Sequence, residues 1–258
     1  SWNEGGVVAP PLPVAARGRV APERVRAIAQ ALRTGESAML ILSGRALSES
    51  GLIAANRIAR VSGATLLASN PVACMARGRG RVPVDRVPYA VDNAVRMLAG
   101  TKHLILVGAK PPTAFFAYPG KPSLMAPPDA VAYVLAHPEQ DEVDALEQLA
   151  DELGAPKTAP VAKGEAKPQP GRGKFTPEAF AGTLAAVLPE NCIVVEDAVT
   201  SGRPLFAYTY NAAAHDWLQI TGGAIGHGFP CATGAAVACR DRKVVCLEAD
   251  GAGMFSLQ

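Results

Sequence analysis

This chain predicts an α/β fold: two doubly wound parallel-sheet domains in series, with the chain ending inside the second. Three observations carry that expectation. Short apolar runs such as Ala38-Met-Leu-Ile-Leu42 and His103-Leu-Ile-Leu-Val107 alternate with stretches whose apolar residues recur at helical spacing. The order is strand then helix throughout, which favours parallel pairing through crossover helices. Residues 155–174 interrupt the alternation with Pro, Gly and Lys and no apolar face, so they read as a linker between two such units.

The elements follow in order. Residues 1–19 are rich in Pro and Gly and form an entering linker. The central domain, 20–154, opens with a helix whose first turn holds Pro22 and whose apolar face is Val25, Ile28, Ala29 and Leu32, stopped by Gly35. The strand 38–42 runs into Ser43-Gly-Arg-Ala46. Ser48 then caps a helix carrying Leu52, Ala55 and Ala59 to Gly63. Thr65-Leu-Leu67 is a second strand. Residues 76–83 form a loop whose three arginines read as solvated charge rather than as an anion patch. Val91, Ala94, Val95 and Leu98 make the next helix face. The strand 103–107 delivers Gly108-Ala-Lys-Pro-Pro112, 130–135 is a fourth strand, and a helix with Val143, Leu146, Leu149 and Leu153 ends at Gly154.

Past the linker, residues 175–258 begin a second domain. Thr176 and Pro177 start a helix, and Cys192-Ile-Val-Val195 is a strand ending at Glu196-Asp197. Trp217–Ile220 and Lys243–Leu247 are further strands. Of 258 residues, 49% are hydrophobic and 19% charged, enough for sizeable cores, and the net charge of +2 is too small to draw in nucleic acid or a membrane surface. No apolar run approaches the roughly 20 residues of a membrane span. Cys74, Cys192, Cys231, Cys239 and Cys246 form no C-x-x-C pair and are expected to be buried, reduced thiols, which fits a cytoplasmic protein.

The chemistry concentrates in the last third. Thr221-Gly-Gly-Ala-Ile-Gly-His-Gly228 is a glycine-rich turn opening a helix of small residues, and Val244–Leu247 delivers Ala249-Asp-Gly-Ala252 past a strand's carboxyl end. Ligands bind at that edge of a parallel sheet. Glycines let backbone N–H groups approach an anion, a helix start adds its positive dipole end, and one carboxylate beside a phosphate can anchor a hard cation. Asp250 is therefore either a metal ligand or, with Gly251, an ordinary turn. Thr200-Ser-Gly202 is either a phosphate-contacting loop or a helix cap.

These two segments resemble the diphosphate-binding domain of thiamine-diphosphate-dependent enzymes, in the branch of acetolactate synthase and benzoylformate decarboxylase. The family's Gly-Asp-Gly appears here as Ala249-Asp250-Gly251, and the later Asn of the signature falls beyond Gln258. The resemblance implies a thiamine-diphosphate- and Mg-dependent enzyme, a lyase or transferase, that decarboxylates or ligates a 2-keto acid. It implies Asp250 as metal ligand, with Gly251, Ala252, Thr200, Ser201 and Gly202 toward the diphosphate. Gly223, Ala224 and Ile225 would hold the aminopyrimidine, Ile225 wedging between the cofactor's rings; simple core packing would leave the same trace in sequence. Ala252 stands where a serine is common, and Asp197 where the family usually has Glu, so Asp197 is given no role.

The resemblance covers only the central domain and the early part of the diphosphate-binding domain. The catalytic glutamate of the family lies in a pyrimidine-binding domain with no counterpart here, so no catalytic residue is assigned and the chain alone is expected to be inactive. A homodimer or homotetramer of the longer chain is implied. FAD is not expected, because the arginine-bearing FAD segment has no counterpart near residues 107–125. The alternative is a non-catalytic nucleotide-binding or interaction protein of the same fold, with Ser43-Gly44-Arg45 and Gly108-Ala109-Lys110 at strand ends where a nucleotide would lie.

Overall fold

A computed structural model describes residues 10–258 apart from 159, 162–165 and 203. Residues 1–9 of the entering linker, and 159 and 162–165 of the second linker, lie outside the described residues. The first unit runs α1 (Pro22–Arg33), β1 (Ala38–Leu42), α2 (Glu49–Ser62), β2 (Thr65–Ala68), β3 (Cys74–Arg77), β4 (Asp85–Arg86), α3 (Val91–Leu98), β5 (His103–Val107), β6 (Val131–Ala136) and α4 (Glu142–Glu152).

Its five-stranded sheet has the order β4-β2-β1-β5-β6 with every pairing parallel. Apolar residues face both ways along the central strands, as a sheet covered on both sides demands. Leu40, Leu42, Ile105 and Val107 meet Ile28 of α1, Leu52 and Ile58 of α2, and Leu146 and Leu149 of α4, whereas Ile41, Leu104 and Leu106 meet Ala94 and Leu98 of α3. The caps are those the residues announce: Ser48 Oγ accepts from Gly51 N–H, Asp141 from Val143 and Asp144 N–H, and Gly63 closes α2 in the left-handed region. Arg57 is buried in α2, and its guanidinium pairs with Glu147 and Asp151 of α4, so the two helices are joined by charge as well as by apolar contact.

The second unit runs α5 (Pro177–Val187), β7 (Cys192–Asp197), α6 (Leu205–Tyr208), β8 (His215–Gln219), α7 (Gly228–Ala238), β9 (Val244–Glu248) and α8 (Asp250–Gly253). Its sheet has the order β3-β8-β7-β9. The pairs β7–β8 and β7–β9 are parallel; β3, contributed from between β2 and β4, pairs antiparallel with β8, Cys74 opposite Leu218 and Arg77 opposite His215. The first unit therefore lends the second sheet a strand that the sequence reading placed partly in a loop.

That pairing corrects the reading of the three arginines. Arg77 is only 5% exposed, and its guanidinium lies 3.5 Å from the centroid of the Phe206 ring, with the Arg86 guanidinium equally close to the same ring. Burial, reinforced by Arg86, pulls Arg77 down to about 9. Arg81 donates to the His215 carbonyl and to Asp216 Oδ1 at 3.0 Å. These side chains are drawn in because β3 lies against the second sheet; only Arg79 among the three keeps substantial exposure. The thiols also differ from expectation. All five are free, but only Cys192, on the central strand β7, is buried; Cys231 on α7, Cys239 just past its end and Cys246 on β9 are partly exposed, and Cys74 on β3 is exposed.

Candidate functional site

β7 is buried along its whole length and ends in two carboxylates. Glu196 Oε1 accepts from Ala198 N–H at 3.2 Å, and burial raises its carboxyl above the usual range while the Arg86 cation opposes the rise. The chain then turns at Val199, which takes an uncommon positive φ of 40°. Gly202 packs closely there: a Cβ would stand 2.6 Å from Glu196 Oε1 and 3.0 Å from Ala198 Cβ. Thr200 and Ser201 are exposed at the carboxyl edge of the sheet. The Ser201 hydroxyl donates to the Ala198 carbonyl at 3.0 Å, and neither residue caps a helix, since α6 starts after Pro204.

Asp197 is completely buried. Its Oδ2 accepts from Gly226 N–H at 2.7 Å and from Gly228 N–H at 3.2 Å. Those amides belong to the glycine turn, whose Gly222, Gly223 and Gly226 have φ of 62°, 70° and 94°, a region glycine enters without strain. Residues 221–225 stay exposed; Ile225 is 50% exposed and is not a core residue. On its other side the turn is fixed by the Ser256 hydroxyl, which donates to the Gly226 carbonyl at 2.7 Å.

A second carboxylate stands at the start of α7. A Cβ on Gly228 would overlap Glu248 Oε2 and come within 3.0 Å of Asp197 Cβ. Burial first, and the neighbouring Asp197 next, raise the Glu248 carboxyl above its usual range. The helix start that the sequence offers to an external anion is thus faced by two carboxylates of the chain itself. Asp197 Oδ1, Glu248 Oε1 and His227 Nε2 are buried there without a hydrogen-bond partner among the described residues.

β9 delivers Asp250 to the exposed edge, with Gly251 exposed beside it and Ala252 buried. A Cβ on Gly226 would stand 2.6 Å from Phe255 Cβ and 3.2 Å from the Ala252 carbonyl, so the glycine turn and the Asp250 segment lie against each other. The structure therefore gathers 197–202, 222–228 and 248–256 at one sheet edge. It also adds Phe115, from the loop after β5: its Cζ stands 3.1 Å from where a Cβ of Gly223 would be. Sequence reasoning missed Phe115; the available signal was an adjacent pair of aromatics, Phe115-Phe116, in a proline-rich loop leaving a strand's carboxyl end.

The edge of the first sheet has a cleft of about 340 Å³, lined in part by Ser43, Asn70, Tyr89, Lys110 and Phe115. The glycine turns expected to receive a nucleotide there are closed from within. A Cβ on Gly44 would lie 2.8 Å, and one on Gly108 3.1 Å, from Oε1 of Glu142, which is 1% exposed and pairs with Arg17 at 3.3 Å. A diphosphate at those turns would meet a fixed carboxylate.

The donor set at the second sheet fits a metal-bound diphosphate cofactor. Asp250 offers exposed hard oxygens, Gly251 has open space where a side chain would be, and the exposed Gly222–Ile225 turn leaves a surface for a ring.

Fold and site together define a two-sheet α/β protein with its candidate ligand edge on the second sheet. Residues 203–258 match the family described as thiamine pyrophosphate enzyme, C-terminal TPP binding domain. Over 256 residues the chain is 44% identical to a Mycobacterium tuberculosis protein described as "Putative acetolactate synthase large subunit IlvX", covering 99% of this chain and 49% of that protein. Among solved structures it is similar to a Rhodococcus jostii thiamine diphosphate-dependent 4-hydroxybenzoylformate decarboxylase, with TM-score 0.74, 17% identity, 95% of this chain and 49% of that one. It is also similar to benzoylformate decarboxylase from Polynucleobacter necessarius, with TM-score 0.68, 17% identity, 99% of this chain and 51% of that one. At such identities these two structures speak to fold. The match to the TPP-binding family thus covers the last 56 residues, 203–258, and the chain spans about half the length of the curated relative it matches.

Proposed function

We propose that the chain forms part of a thiamine-diphosphate- and Mg²⁺-dependent enzyme acting on a 2-keto acid, by decarboxylation or carboligation. The observation that carries this is the contact of the glycine turn, at Gly226, with Ala252 and Phe255 of the segment that carries Asp250, at one sheet edge. Asp250 would hold the metal through its carboxylate. Gly251 and Ala252 would offer N–H groups to the diphosphate, with Thr200, Ser201 and Gly202 on the neighbouring strand end. Gly223, Ala224 and Ile225 would hold the aminopyrimidine, and the half-exposed Ile225 side chain would fix the ring orientation, a form of preorganisation.

When bound, thiamine diphosphate supplies the carbon nucleophile and electron sink that 2-keto acid chemistry requires. The acid–base groups beside the turn are turned inward: Glu196 and Asp197 are buried and spend oxygens on backbone N–H groups, and Glu248 Oε1 and His227 Nε2, unpartnered among the described residues, are buried atoms as well. The proton-transferring group would come from outside these segments, which fits assembly into a homodimer or homotetramer. No described helix is long and apolar enough to cross a membrane; a cytoplasmic setting is proposed from five unpaired thiols.

The test is calorimetric titration of the natural protein carrying this chain, and of its Asp250→Asn variant, with thiamine diphosphate and Mg²⁺. Asparagine keeps the shape and removes the charge, so both ligands should weaken together. Equal affinities in the two proteins would reduce Asp250 to a turn residue.

A further inference from the structure

The loop after β5 carries aromatic surface that the first sheet does not use. Its neck is held by Ala114 N–H to the Ser123 carbonyl at 2.8 Å and Met125 N–H to the Pro112 carbonyl at 3.0 Å, and Lys121 ties it to Asp92 of α3 at 2.6 Å. Between these anchors Phe115 and Phe116 remain 41% and 59% exposed. They pack edge to face at 4.8 Å between centroids, and Tyr89, 55% exposed, adds a third ring 5.7 Å from Phe115. Apolar rings held in place yet left in water mark a surface that something else covers.

What they face is specific. Phe115 bears on Gly223, where a side chain would both crowd the ring and strain a backbone at φ 70°. Two residues on stands Ile225, half exposed. The same Phe115 ring lines the cleft of about 340 Å³ together with Tyr89, Met125 and Pro112. The exposed aromatic cluster and the exposed glycine turn are therefore one continuous surface, contributed by two different sheets.

Resting on the thiamine-diphosphate reading above, we propose that Phe115 is a specificity-determining residue: its ring forms an apolar wall beside the Gly223–Ile225 turn that receives the side chain of the 2-keto acid and selects apolar, above all aromatic, side chains over small or charged ones. A phenyl ring donates no conventional hydrogen bond and carries no charge, so a polar side chain placed against it loses water without compensation. An aromatic one gains burial and ring–ring contact. Apolar pockets discriminate between side chains by about 10–200-fold per group lost or gained, which sets the scale expected of truncating the wall.

The experiment compares wild type, Phe115→Ala and Phe115→Tyr in the natural protein. Calorimetry first measures thiamine diphosphate with Mg²⁺, then phenylacetate and acetate as unreactive probes on the loaded protein; kcat/KM is then compared for phenylpyruvate and pyruvate. Cofactor affinity should be the same in all three. Wild type should prefer the phenyl compounds in both assays, Phe115→Ala should lose about 10–100-fold of that preference, and Phe115→Tyr, which keeps the ring, should retain it. If wild type and Phe115→Ala bind cofactor alike and discriminate alike, or wild type prefers pyruvate, the assignment is overturned while the family reading stands. Loss of cofactor binding in Phe115→Ala overturns it too, by making Phe115 a support for the turn. If wild type binds no cofactor, both readings fall.

Discussion

Asp197 holds Gly226: the buried carboxylate at the end of β7 accepts the Gly226 N–H at 2.7 Å, and the same oxygen takes Gly228 N–H at 3.2 Å. Through this one side chain the central strand of the second sheet sets the position of the turn on which Ile225 stands. It also explains why the start of α7 needs no external anion, since the chain supplies its own.

Replacing Asp197 by alanine should strand two buried donors, at about 1–3 kcal/mol each. Asp197→Asn keeps a carbonyl oxygen that can accept both and should cost much less. Urea denaturation gives the stabilities, and hydrogen exchange should show Gly226 and Gly228 amides opening faster in the alanine variant alone. Unchanged exchange in Asp197→Ala would mean the turn is held by other contacts.

Ile225→Ala should behave differently. The side chain is half exposed, so the loss of stability should stay below the roughly 2–5 kcal/mol typical of a buried isoleucine. Affinity for thiamine diphosphate or turnover should nevertheless fall in the natural protein. A large drop in melting temperature with unaltered cofactor affinity would argue for a packing role instead.

His215 gives a pH dependence with a definite sign. It is fully buried, its Nδ1–H donates to the Ala213 carbonyl at 2.7 Å, and burial lowers its pKa to about 4. The unfolded chain takes up a proton below about 6.5, the folded chain only near 4, so stability from this group is full above 6.5 and lost as pH falls toward 4. The loss amounts to roughly 3 kcal/mol. Denaturation midpoints at pH 7 and pH 4.5 should differ less in His215→Gln than in wild type. An identical difference in both proteins would assign the effect to other groups.

The linker and the β3–β8 pairing make a joint prediction. We propose that 155–174 divides the chain into two folding units, and limited proteolysis should cut there first. The two pieces should nonetheless stay together on a sizing column, because β3 remains paired with β8 through Cys74–Arg77 and His215–Leu218. Free separation of the pieces under native conditions would show that the strand pairing is too weak to hold them.

Much of this molecule is written locally. β1 and β5 run over the same residues the apolar pattern marks, α2 starts at its Ser48 cap and stops at Gly63, and Thr176 caps α5. The glycine turn and Asp250 are legible for the same reason: positive φ, strand length and a carboxylate after a strand are properties of neighbouring residues. Which strand an edge accepts is not such a property. Cys74–Arg77 is only four residues long, with no β-branched or aromatic residue to announce a strand, and it becomes one because β8 offers an unpaired edge; Arg77 is buried as a consequence, against Phe206 more than a hundred residues later. Likewise Asp197, Glu248 and Phe115 look like an ordinary strand end, strand residue and loop aromatic. Only the folded chain brings two carboxylates to the start of α7 and a ring from one sheet to a glycine of the other, because burial and contact between distant segments are decided by packing and not by local pattern.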